Sequence, residues 1–307
     1  MPRAVPWAPG AHTRVAAVIG EPVRHSLSPV MHNAAFRALD LDWVYLAFEV
    51  RRGTAPAALA GTRALGVDGL SVTMPHKDAV ATAVDRLSPT ALALGAVNTV
   101  VRRGDVLEGH NTDGVGFVGA VRDDEGFDPA SRRCLVLGAG GAARAVVKAL
   151  ADAGAAEVVV VNRTPARAEA AAALAGGAGR VGTVEEVAEA ELIVNATPVG
   201  MASDARLGAE VLSVDGTVIE GSGPDPLVVV DPAWLGPGQL VVDLVYDPPL
   251  TPLVEAARAR GAAGVNGLGM LIHQAAHAFR LWTGEDPPLA VMSAAALAEL
   301  ARDGDDR

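Results

Sequence analysis

Apolar positions in the first third of the chain follow two periods in turn. The β-rich runs VAAVIG, DWVYLAFEV and DGLSVT alternate with segments of helical spacing that begin at Pro29, cover Ala55 to Leu65, and begin again at Pro75. Strands separated by helices in this way are typical of parallel βαβ units. Residues 15 to about 100 therefore predict an α/β domain built on a parallel sheet.

A second alternating series begins at Arg133. Its β-rich runs are CLVLG, EVVVVN, ELIVNAT and QLVVDLVY, and helical patterns cover Ala142 to Ala153 and Pro165 to Leu174. This order of elements is that of a doubly wound, nucleotide-binding sheet.

Two further segments set the domain boundaries. The Gly-rich stretch GHNTDGVGFVGAV lies between the two series and predicts a hinge, and the segment NGLGMLIHQAAHAFRLW after Val265 is amphipathic at helical spacing. We therefore predict an α/β protein of two domains. The first comprises residues 1–113 and is completed by C-terminal helices within 267–307, and the second is a Rossmann-type domain of residues 114–266.

The length and composition of the chain bear on its number of domains and on the residues that form its cores. A chain of 307 residues is long enough for two domains with buried cores. Hydrophobic residues make up 50% of it but aromatic residues only 4%, which predicts cores of Val, Leu and Ala rather than aromatic clusters. The single cysteine, Cys134, lies in the apolar run RRCLVLG, and we interpret it as a small buried side chain.

The charge and the hydropathy of the chain limit which classes of partner and which cellular location we expect. The net charge of -11, with no Lys/Arg-rich block, would repel phosphate backbones, so nucleic acid is not an expected partner. No apolar run approaches the roughly 18 residues that a membrane span needs, and the first residues lack the apolar segment of a signal peptide. We therefore expect a cytoplasmic protein that acts on a small molecule, and for its oligomeric state both a monomer and a homodimer stay open.

The most specific motif is a glycine-rich turn with the spacing G-x-G-x-x-A between the strand CLVLG and the helix AARAVVKAL. Gly138 can form the tight turn, Gly140 allows the backbone to approach a pyrophosphate, and Ala143 permits close helix packing. The helix N-terminus adds free N–H groups and the positive end of its dipole. The alternative is a structural turn without a ligand.

The end of the next strand indicates which dinucleotide binds. An NAD site usually has an acidic residue there for the ribose 2′-hydroxyl, but this chain reads NRTPAR from Asn162 to Arg167, without a carboxylate. Arg163 and Arg167 can pair with a 2′-phosphate, and Thr164 can add a hydrogen bond. The sequence therefore predicts NADP; the alternative is a solvated pair of arginines.

A candidate for the chemical step lies in SVTMPHK, where a strand runs into a helix with Pro75 in its first turn. Lys77 is then near a helix N-terminus, where the dipole disfavours the ammonium form, which suits a group that exchanges a proton with a substrate hydroxyl. Asp113, in the motif NTDG, could orient Lys77 and share its proton. Without such a partner, Lys77 would be an ordinary surface charge.

Eight motifs then occur in the order found in one enzyme family: GEPVRHSLSPVMHNAAF, VTMPHK, GAVNT, HNTDG, GAGGAAR, NRTPAR, NATPVGM and NGLGMLIHQAAHAF. From residue 15 to about 285, the chain resembles the shikimate dehydrogenases. The resemblance implies an NADP-dependent oxidoreductase that interconverts 3-dehydroshikimate and shikimate in aromatic amino acid (chorismate) biosynthesis.

The resemblance also implies roles for individual residues, with Lys77 as the general acid/base and Asp113 as its partner. The residues implied for the substrate carboxylate are Ser26, Ser28 and Tyr246, and those for the ring hydroxyls are Thr73, Lys77, Asn98, Asp113 and Gln274. The residues implied for the cofactor are Gly138, Ala139, Gly140, Gly141, Ala142, Asn162, Arg163, Thr164, Arg167, Leu244 and Gly267.

Several of these residues have structural alternatives. Ser28 could be a helix N-cap before Pro29, Asn98 could support a turn, and Gln274 could be an exposed helix residue. Tyr246 could be a packed loop aromatic.

One departure from the family pattern bears on the substrate. Ser71 stands where the family commonly has Asn, which puts one contact to a ring hydroxyl in question and keeps a quinate or quinate/shikimate dehydrogenase as an alternative. The pair Ser26 and Ser28 favours shikimate. An alternative of another class is a catalytically silent NADP-binding sensor, against which Lys77 and Asp113 argue.

Four histidines within these motifs receive no role. His273 and His277 have the i,i+4 spacing of a zinc pair, but Gln274 replaces the general-base Glu of H-E-x-x-H, so no metal site is expected. His76 and His110 lie near Lys77 and Asp113 and could tune the local charge or be polar residues at the edge of a cleft.

Overall fold

The structure is a computed structural model that describes residues 8–200 and 230–305. The chain divides into two compact units. The first holds the described residues up to Thr112 and from Ala275 onward, and the second runs from Asp113 to Gln274.

The first unit is built on a six-stranded sheet in the order β2-β1-β3-β5-β6-β4. Its strands are β1 (Arg14–Gly20), β2 (Trp43–Glu49), β3 (Gly69–Val72), β4 (Arg86–Leu87), β5 (Thr99–Arg103) and β6 (Val106–His110). Its helices are α1 (Ser28–Ala38), α2 (Ala55–Leu65), α3 (Lys77–Ala81), α4 (Pro89–Leu94) and, at the C-terminal end, α10 (Leu289–Asp305).

This sheet is mixed, and the parallel βαβ units predicted from the sequence make up only part of it. Strands β1, β2 and β3 are parallel as predicted, but β5 runs antiparallel to both β3 and β6. Strands β5 and β6 form a hairpin closed at Gly104, whose φ of +63° lies in the left-handed region. A hairpin needs no crossover helix, so the α/β alternation gave no sign of it.

The helix predicted from Pro75 begins two residues later. Helix α3 starts at Lys77, with His76 at the N-cap position, and it has only five residues. Pro75 therefore lies before the helix and not in its first turn. Lys77 is the first helical residue, as the position of the motif after β3 led us to expect.

The second unit is built on a six-stranded, fully parallel sheet in the order β12-β11-β10-β7-β8-β9. Its strands are β7 (Arg133–Leu137), β8 (Glu157–Val161), β9 (Gly179–Val181), β10 (Leu192–Asn195), β11 (Leu240–Asp243) and β12 (Ala263–Asn266). Its α-helices are α5 (Asp113–Asp123), α6 (Gly141–Asp152), α7 (Pro165–Ala172), α8 (Pro252–Ala259) and α9 (Leu268–Thr283), which continues into the first unit, and its 3-10 helices are Ala173–Ala178, Val184–Glu189 and Pro232–Trp234.

The doubly wound sheet predicted from the second series is confirmed. Strands β7, β8, β10 and β11 carry the predicted apolar runs, and residues on both faces of β7 are buried because helices cover each face. Cys134 in β7 is fully buried, and burial raises the pKa of its thiol to about 12. The interpretation of Cys134 as a small buried side chain is confirmed.

The core of the first unit contains an aromatic cluster that the low aromatic content did not predict. His32 of α1 stacks on Tyr45 with ring centroids 4.4 Å apart and lies 5.2 Å from the ring of Trp282. Phe36 and Phe279 extend the cluster. A small number of aromatic residues, spread over distant parts of the sequence, is concentrated here by the fold.

No helix in the described part of the chain is long and apolar enough to cross a membrane.

Burial of His32 predicts a specific loss of stability in acid. Burial lowers the pKa of His32 from 6.5 to about 3, and neither ring nitrogen has a hydrogen-bond partner among the described residues. Between these two values the unfolded chain binds a proton that the folded protein excludes, so the free energy of unfolding falls as pH falls. The contribution of this one site is about 1.4 kcal/mol per pH unit.

The variant His32→Phe keeps a stacked ring and removes the titrating group. We expect the wild-type protein to lose about 2 kcal/mol more than His32→Phe between pH 7.5 and pH 5, measured by urea unfolding. Parallel pH dependence of the two proteins would contradict the assignment.

Candidate active site

Thr73 follows β3 at the carboxyl edge of the first sheet, beside the end of β1. Its backbone N–H donates to the carbonyl of Ile19 at 3.0 Å. A Cβ on Gly20 would collide with the Thr73 side chain, so only glycine allows this approach. The two turns are therefore fixed against each other, which places Thr73 at the edge where ligands bind in sheets of this kind.

Lys77 is held through the backbone on either side of it. The ring of His76 is buried and donates from Nε2 to the carbonyl of Val50 at 2.7 Å, and the carbonyl of Lys77 accepts from the N–H of Val97 at 3.0 Å. His76 therefore anchors the start of α3 to the loop after β2. This contact gives His76 a structural role that the sequence motif did not reveal.

Asn98 joins the ends of two strands by its side chain. Its Oδ1 accepts from the N–H of Thr112 at 2.8 Å and its Nδ2 donates to Thr112 Oγ1 at 3.0 Å, while its backbone carbonyl accepts from Val72. The side chain is almost fully buried. Asn98 thus supports the segment that leads to Asp113.

Ser28 is not the helix N-cap that it resembles in the sequence. Helix α1 begins at Ser28, the preceding Leu27 occupies the N-cap position, and no side chain caps the helix. The N–H of Ser28 instead donates to Ser26 Oγ at 3.2 Å, which holds the two serines together. The alternative interpretation of Ser28 as a cap is therefore wrong.

Ser71 lies near Ser28 in the folded chain. The buried hydroxyl of Tyr45 is close to the side chains of both serines, although it has no formed hydrogen bond among the described residues. The residue that departs from the family pattern is therefore next to one of the two serines implied for the substrate carboxylate.

The glycine-rich turn of the second unit has the geometry of a phosphate cradle. Gly138 has φ of +108°, and its N–H donates to the carbonyl of Val161 at 2.8 Å. A Cβ on Gly140 or Gly141 would meet no other atom within 4 Å, so the N-terminus of α6 faces open space. Ala143 is fully buried. Free N–H groups, open space and the helix dipole fit a pyrophosphate.

The segment after β8 presents two exposed arginines. Neither Arg163 nor Arg167 forms an ion pair among the described residues. Thr164 occupies the N-cap of α7 without a side-chain cap bond, and Asn162 Nδ2 donates to its carbonyl at 3.1 Å. The two guanidinium groups and the Thr164 hydroxyl fit a ribose 2′-phosphate.

Leu244 and Gly267 meet at the same edge of the second sheet. The N–H of Leu244 donates to the carbonyl of Asn195 at 2.9 Å, and a Cβ on Gly267 would collide with the carbonyl of Leu244. The structure therefore brings together two residues that are far apart in the sequence and that the resemblance implies for the cofactor.

Asp113 and Gln274 lie on helices that pack closely. Asp113 is the first residue of α5 and is buried. A Cβ on Gly116 would lie 2.5 Å from the backbone nitrogen of Gln274, so glycine permits α5 and α9 to touch. Gln274 is half-buried and donates from Nε2 to the carbonyl of Leu271 at 2.9 Å, so it is not the exposed helix residue of the alternative interpretation.

Tyr246 is half-buried in the loop after β11. Burial, together with the negative charge of Asp247, raises the pKa of its phenol, which keeps the hydroxyl protonated and able to donate.

The spaced histidines of α9 do not form a metal site in the described part of the chain, where no group of three metal-ligating side chains occurs. His273 is buried, and its Nε2 donates to Asp124 Oδ1 at 3.3 Å.

The predicted residues divide between the two units. The first unit carries Ser26, Ser28, Thr73, Lys77 and Asn98, and the second carries Asp113, Tyr246, Gln274 and the implied cofactor residues.

Three family profiles match the chain. Residues 18–100 match the shikimate dehydrogenase substrate binding domain, residues 124–205 match shikimate / quinate 5-dehydrogenase, and residues 267–297 match the shikimate 5'-dehydrogenase C-terminal domain.

A relative from Moorella thermoacetica, named shikimate dehydrogenase (NADP(+)), is 47% identical over 292 residues, which cover 92% of each chain. The chain belongs to the shikimate dehydrogenase family.

Solved structures of the shikimate dehydrogenase family have the same fold. The enzyme from Thermus thermophilus, in complex with NADP(H) and shikimate, has a TM-score of 0.80 and 38% identity, and the match covers 93% of this chain and 99% of that one. The quinate dehydrogenase from Corynebacterium glutamicum, in complex with NAD, has a TM-score of 0.79 and 32% identity, with coverage of 93% and 99%.

The exposed arginines predict how the second unit chooses its cofactor. We expect Arg163→Ala to raise the Kd of NADPH about tenfold or more and to leave the Kd of NADH within about twofold, because only NADPH carries the 2′-phosphate. Fluorescence titration measures both constants. Arg122→Ala is the control, since Arg122 is an exposed arginine of the same unit paired with Asp128. An equal loss for both dinucleotides would contradict the assignment.

Proposed function

We propose that this protein catalyses the NADP-dependent interconversion of 3-dehydroshikimate and shikimate in aromatic amino acid (chorismate) biosynthesis. The observation that carries the proposal is the match to the Moorella enzyme across nearly the whole of both chains. The cradle at Gly138 and the placement of Lys77 at the start of α3 are consistent with it.

The cofactor half of the proposal depends on the second unit. The backbone from Gly138 to Ala142 would hold the pyrophosphate of NADP, and Asn162 to Arg167 would hold its 2′-phosphate. Leu244 would border the nicotinamide, and Gly267 would also line the cofactor. When bound, NADPH supplies the hydride, and NADP+ accepts it in reverse.

The substrate half depends mainly on the first unit. Ser26 and Ser28 would donate to the carboxylate of the substrate together with Tyr246 of the second unit. The residues proposed for the ring hydroxyls are Thr73, Lys77, Asn98, Asp113 and Gln274.

Lys77 would move the proton. In reduction its ammonium donates a proton to the carbonyl oxygen as that carbon receives hydride, and in oxidation its neutral amine accepts the hydroxyl proton. Asp113 would orient Lys77 and balance its charge. The overall change is then one hydride and one proton added to the carbonyl.

Quinate is the second candidate substrate, favoured by Ser71. A short side chain at this position leaves more room and one hydrogen bond fewer than Asn would. The similarity to the Corynebacterium quinate dehydrogenase is a second reason to test quinate as a substrate.

The roles of the two units, the cellular location and the oligomeric state are also part of the proposal. The first unit would act as the substrate domain and the second as the NADP domain. We propose a cytoplasmic enzyme, a monomer or homodimer, that acts on small molecules. The net charge of -11 argues against nucleic acid as a partner.

The proposal predicts the ranking of four initial rates, obtained by combining shikimate or quinate with NADP+ or NAD+. We expect kcat/KM to be highest for shikimate with NADP+, by at least about tenfold over each other pair. A preference for quinate would replace the proposal with its alternative, and dinucleotide binding without turnover of either acid would favour the sensor.

The proton role of Lys77 predicts a loss confined to the chemical step. We expect Lys77→Ala to lower kcat by about 100-fold or more and to change the KM of NADP+ less than threefold. Lys148→Ala is the control, because Lys148 lies on α6 and pairs with Asp152. A near-normal kcat for Lys77→Ala would contradict the role.

A further inference from the structure

A buried polar cluster lies at the carboxyl edge of the second sheet, outside the residues assigned so far. It is formed by Asn195 at the end of β10, Asp243 at the end of β11, Thr251 at the N-cap of α8, and Thr197. Asn195, Asp243 and Thr251 are at most 1% exposed. The cluster therefore requires a complete set of internal hydrogen bonds.

Every described partner of the Asp243 carboxylate can donate to it. Thr251 Oγ1 donates to Oδ2 at 2.7 Å, Asn195 Nδ2 donates to Oδ1 at 2.9 Å, and the N–H of Val245 donates to Oδ1 at 3.1 Å. Burial raises the pKa of Asp243, while these three bonds act in the opposite direction. Both oxygens of the Asp243 carboxylate therefore act as hydrogen-bond acceptors.

The side-chain amide of Asn195 links the Asp243 carboxylate to the loop after β10 by hydrogen bonds. Its Oδ1 accepts from the N–H and the Oγ1 of Thr197, at 3.0 and 2.7 Å, and its Nδ2 also donates to the carbonyl of Val199 at 3.3 Å. The amide orientation is fixed, because its nitrogen must face the carboxylate of Asp243. Thr197 and Val199 are thus positioned by a carboxylate with which they form no hydrogen bond among the described residues.

The loop held in this way contacts the glycine-rich turn. A Cβ on Gly138 would lie 3.0 Å from the carbonyl oxygen of Ala196, so the turn and the loop are in close contact. Strands β7 and β10 are neighbours, and the strand order reverses between them, which is where a doubly wound sheet binds its ligand. Asn195 also accepts at its carbonyl from Leu244.

We propose that Asp243 is a positioning residue for the dinucleotide: through Asn195 it fixes the 196–199 loop against the turn at Gly138, and through its bond from the N–H of Val245 it fixes the backbone that follows Leu244. The ligand named here rests on the proposed function. A buried carboxylate is costly compared with an aliphatic side chain of similar size, whereas its directional bonds hold two loops in one geometry.

The variant Asp243→Asn tests this role. The amide NH2 group must face either the two N–H donors of Asn195 and Val245, which cannot accept, or Thr251 Oγ1, whose hydroxyl proton then loses its acceptor. One hydrogen bond of the cluster is therefore lost while the side-chain volume is kept. We expect the Kd of NADPH to rise at least tenfold, while the KM of shikimate at saturating NADP+ changes less than threefold. Asp231→Asn is the matched control, because Asp231 caps Ala233 in the same unit before β11 begins.

A second pair of variants covers the case in which Asp243→Asn does not fold. Thr251→Val removes the hydroxyl at nearly constant volume, and Thr251→Ser keeps it. We expect Thr251→Val to weaken NADPH binding at least threefold and Thr251→Ser to stay within 1.5-fold of wild type. If the Thr251 hydroxyl had only a structural role, Thr251→Val would have a lower melting temperature, but its NADPH affinity would equal that of Thr251→Ser.

Folded Asp243→Asn with wild-type NADPH affinity would overturn the proposal, as would equal NADPH affinities for the two Thr251 variants. Wild-type protein that binds NADPH but does not oxidise shikimate would instead refute the proposed function. The binding titration and the turnover assay therefore separate the two failures.

Discussion

The close contact between Gly138 and the backbone of residue 196 is the constraint on which the second unit depends. A turn with φ of +108° brings the end of β7 against the loop after β10 and leaves the N-terminus of α6 open. The phosphate cradle, the loop shaped by Asn195 and the position of Leu244 all follow from three adjacent parallel strands, β7, β10 and β11, that end at one edge. A side chain at Gly138 would disturb each of them.

The second unit was predictable because its signals are local. Apolar runs, glycine spacing and the NRTPAR segment are contiguous in the sequence, and they identified the doubly wound sheet and the open cradle. The Asp243 cluster was not predictable in the same way. Asn195 and Asp243 are 48 positions apart, and nothing in the sequence around either residue indicates that the two side chains meet.

The fold of the first unit was less predictable, because neither its hairpin nor its aromatic cluster follows from the apolar periodicity of the sequence. The hairpin of β5 and β6 consists of short strands that contain charged residues, so neither resembles a buried parallel strand. The stacking of His32 on Tyr45 joins a helix to a strand and is invisible to periodicity. The resemblance placed Lys77 in the site, but only the structure showed that His76 anchors it to Val50.

In the reaction that we propose, hydride passes between NADPH and the carbonyl of 3-dehydroshikimate on this protein. The most direct measurement uses NADPH carrying deuterium at the transferred position of C4, with the product examined by mass spectrometry and NMR. We predict shikimate that is one mass unit heavier, with the deuterium on the carbon that bears the new hydroxyl. Shikimate without deuterium from either C4-labelled epimer of NADPH, or no shikimate at all, would contradict the account.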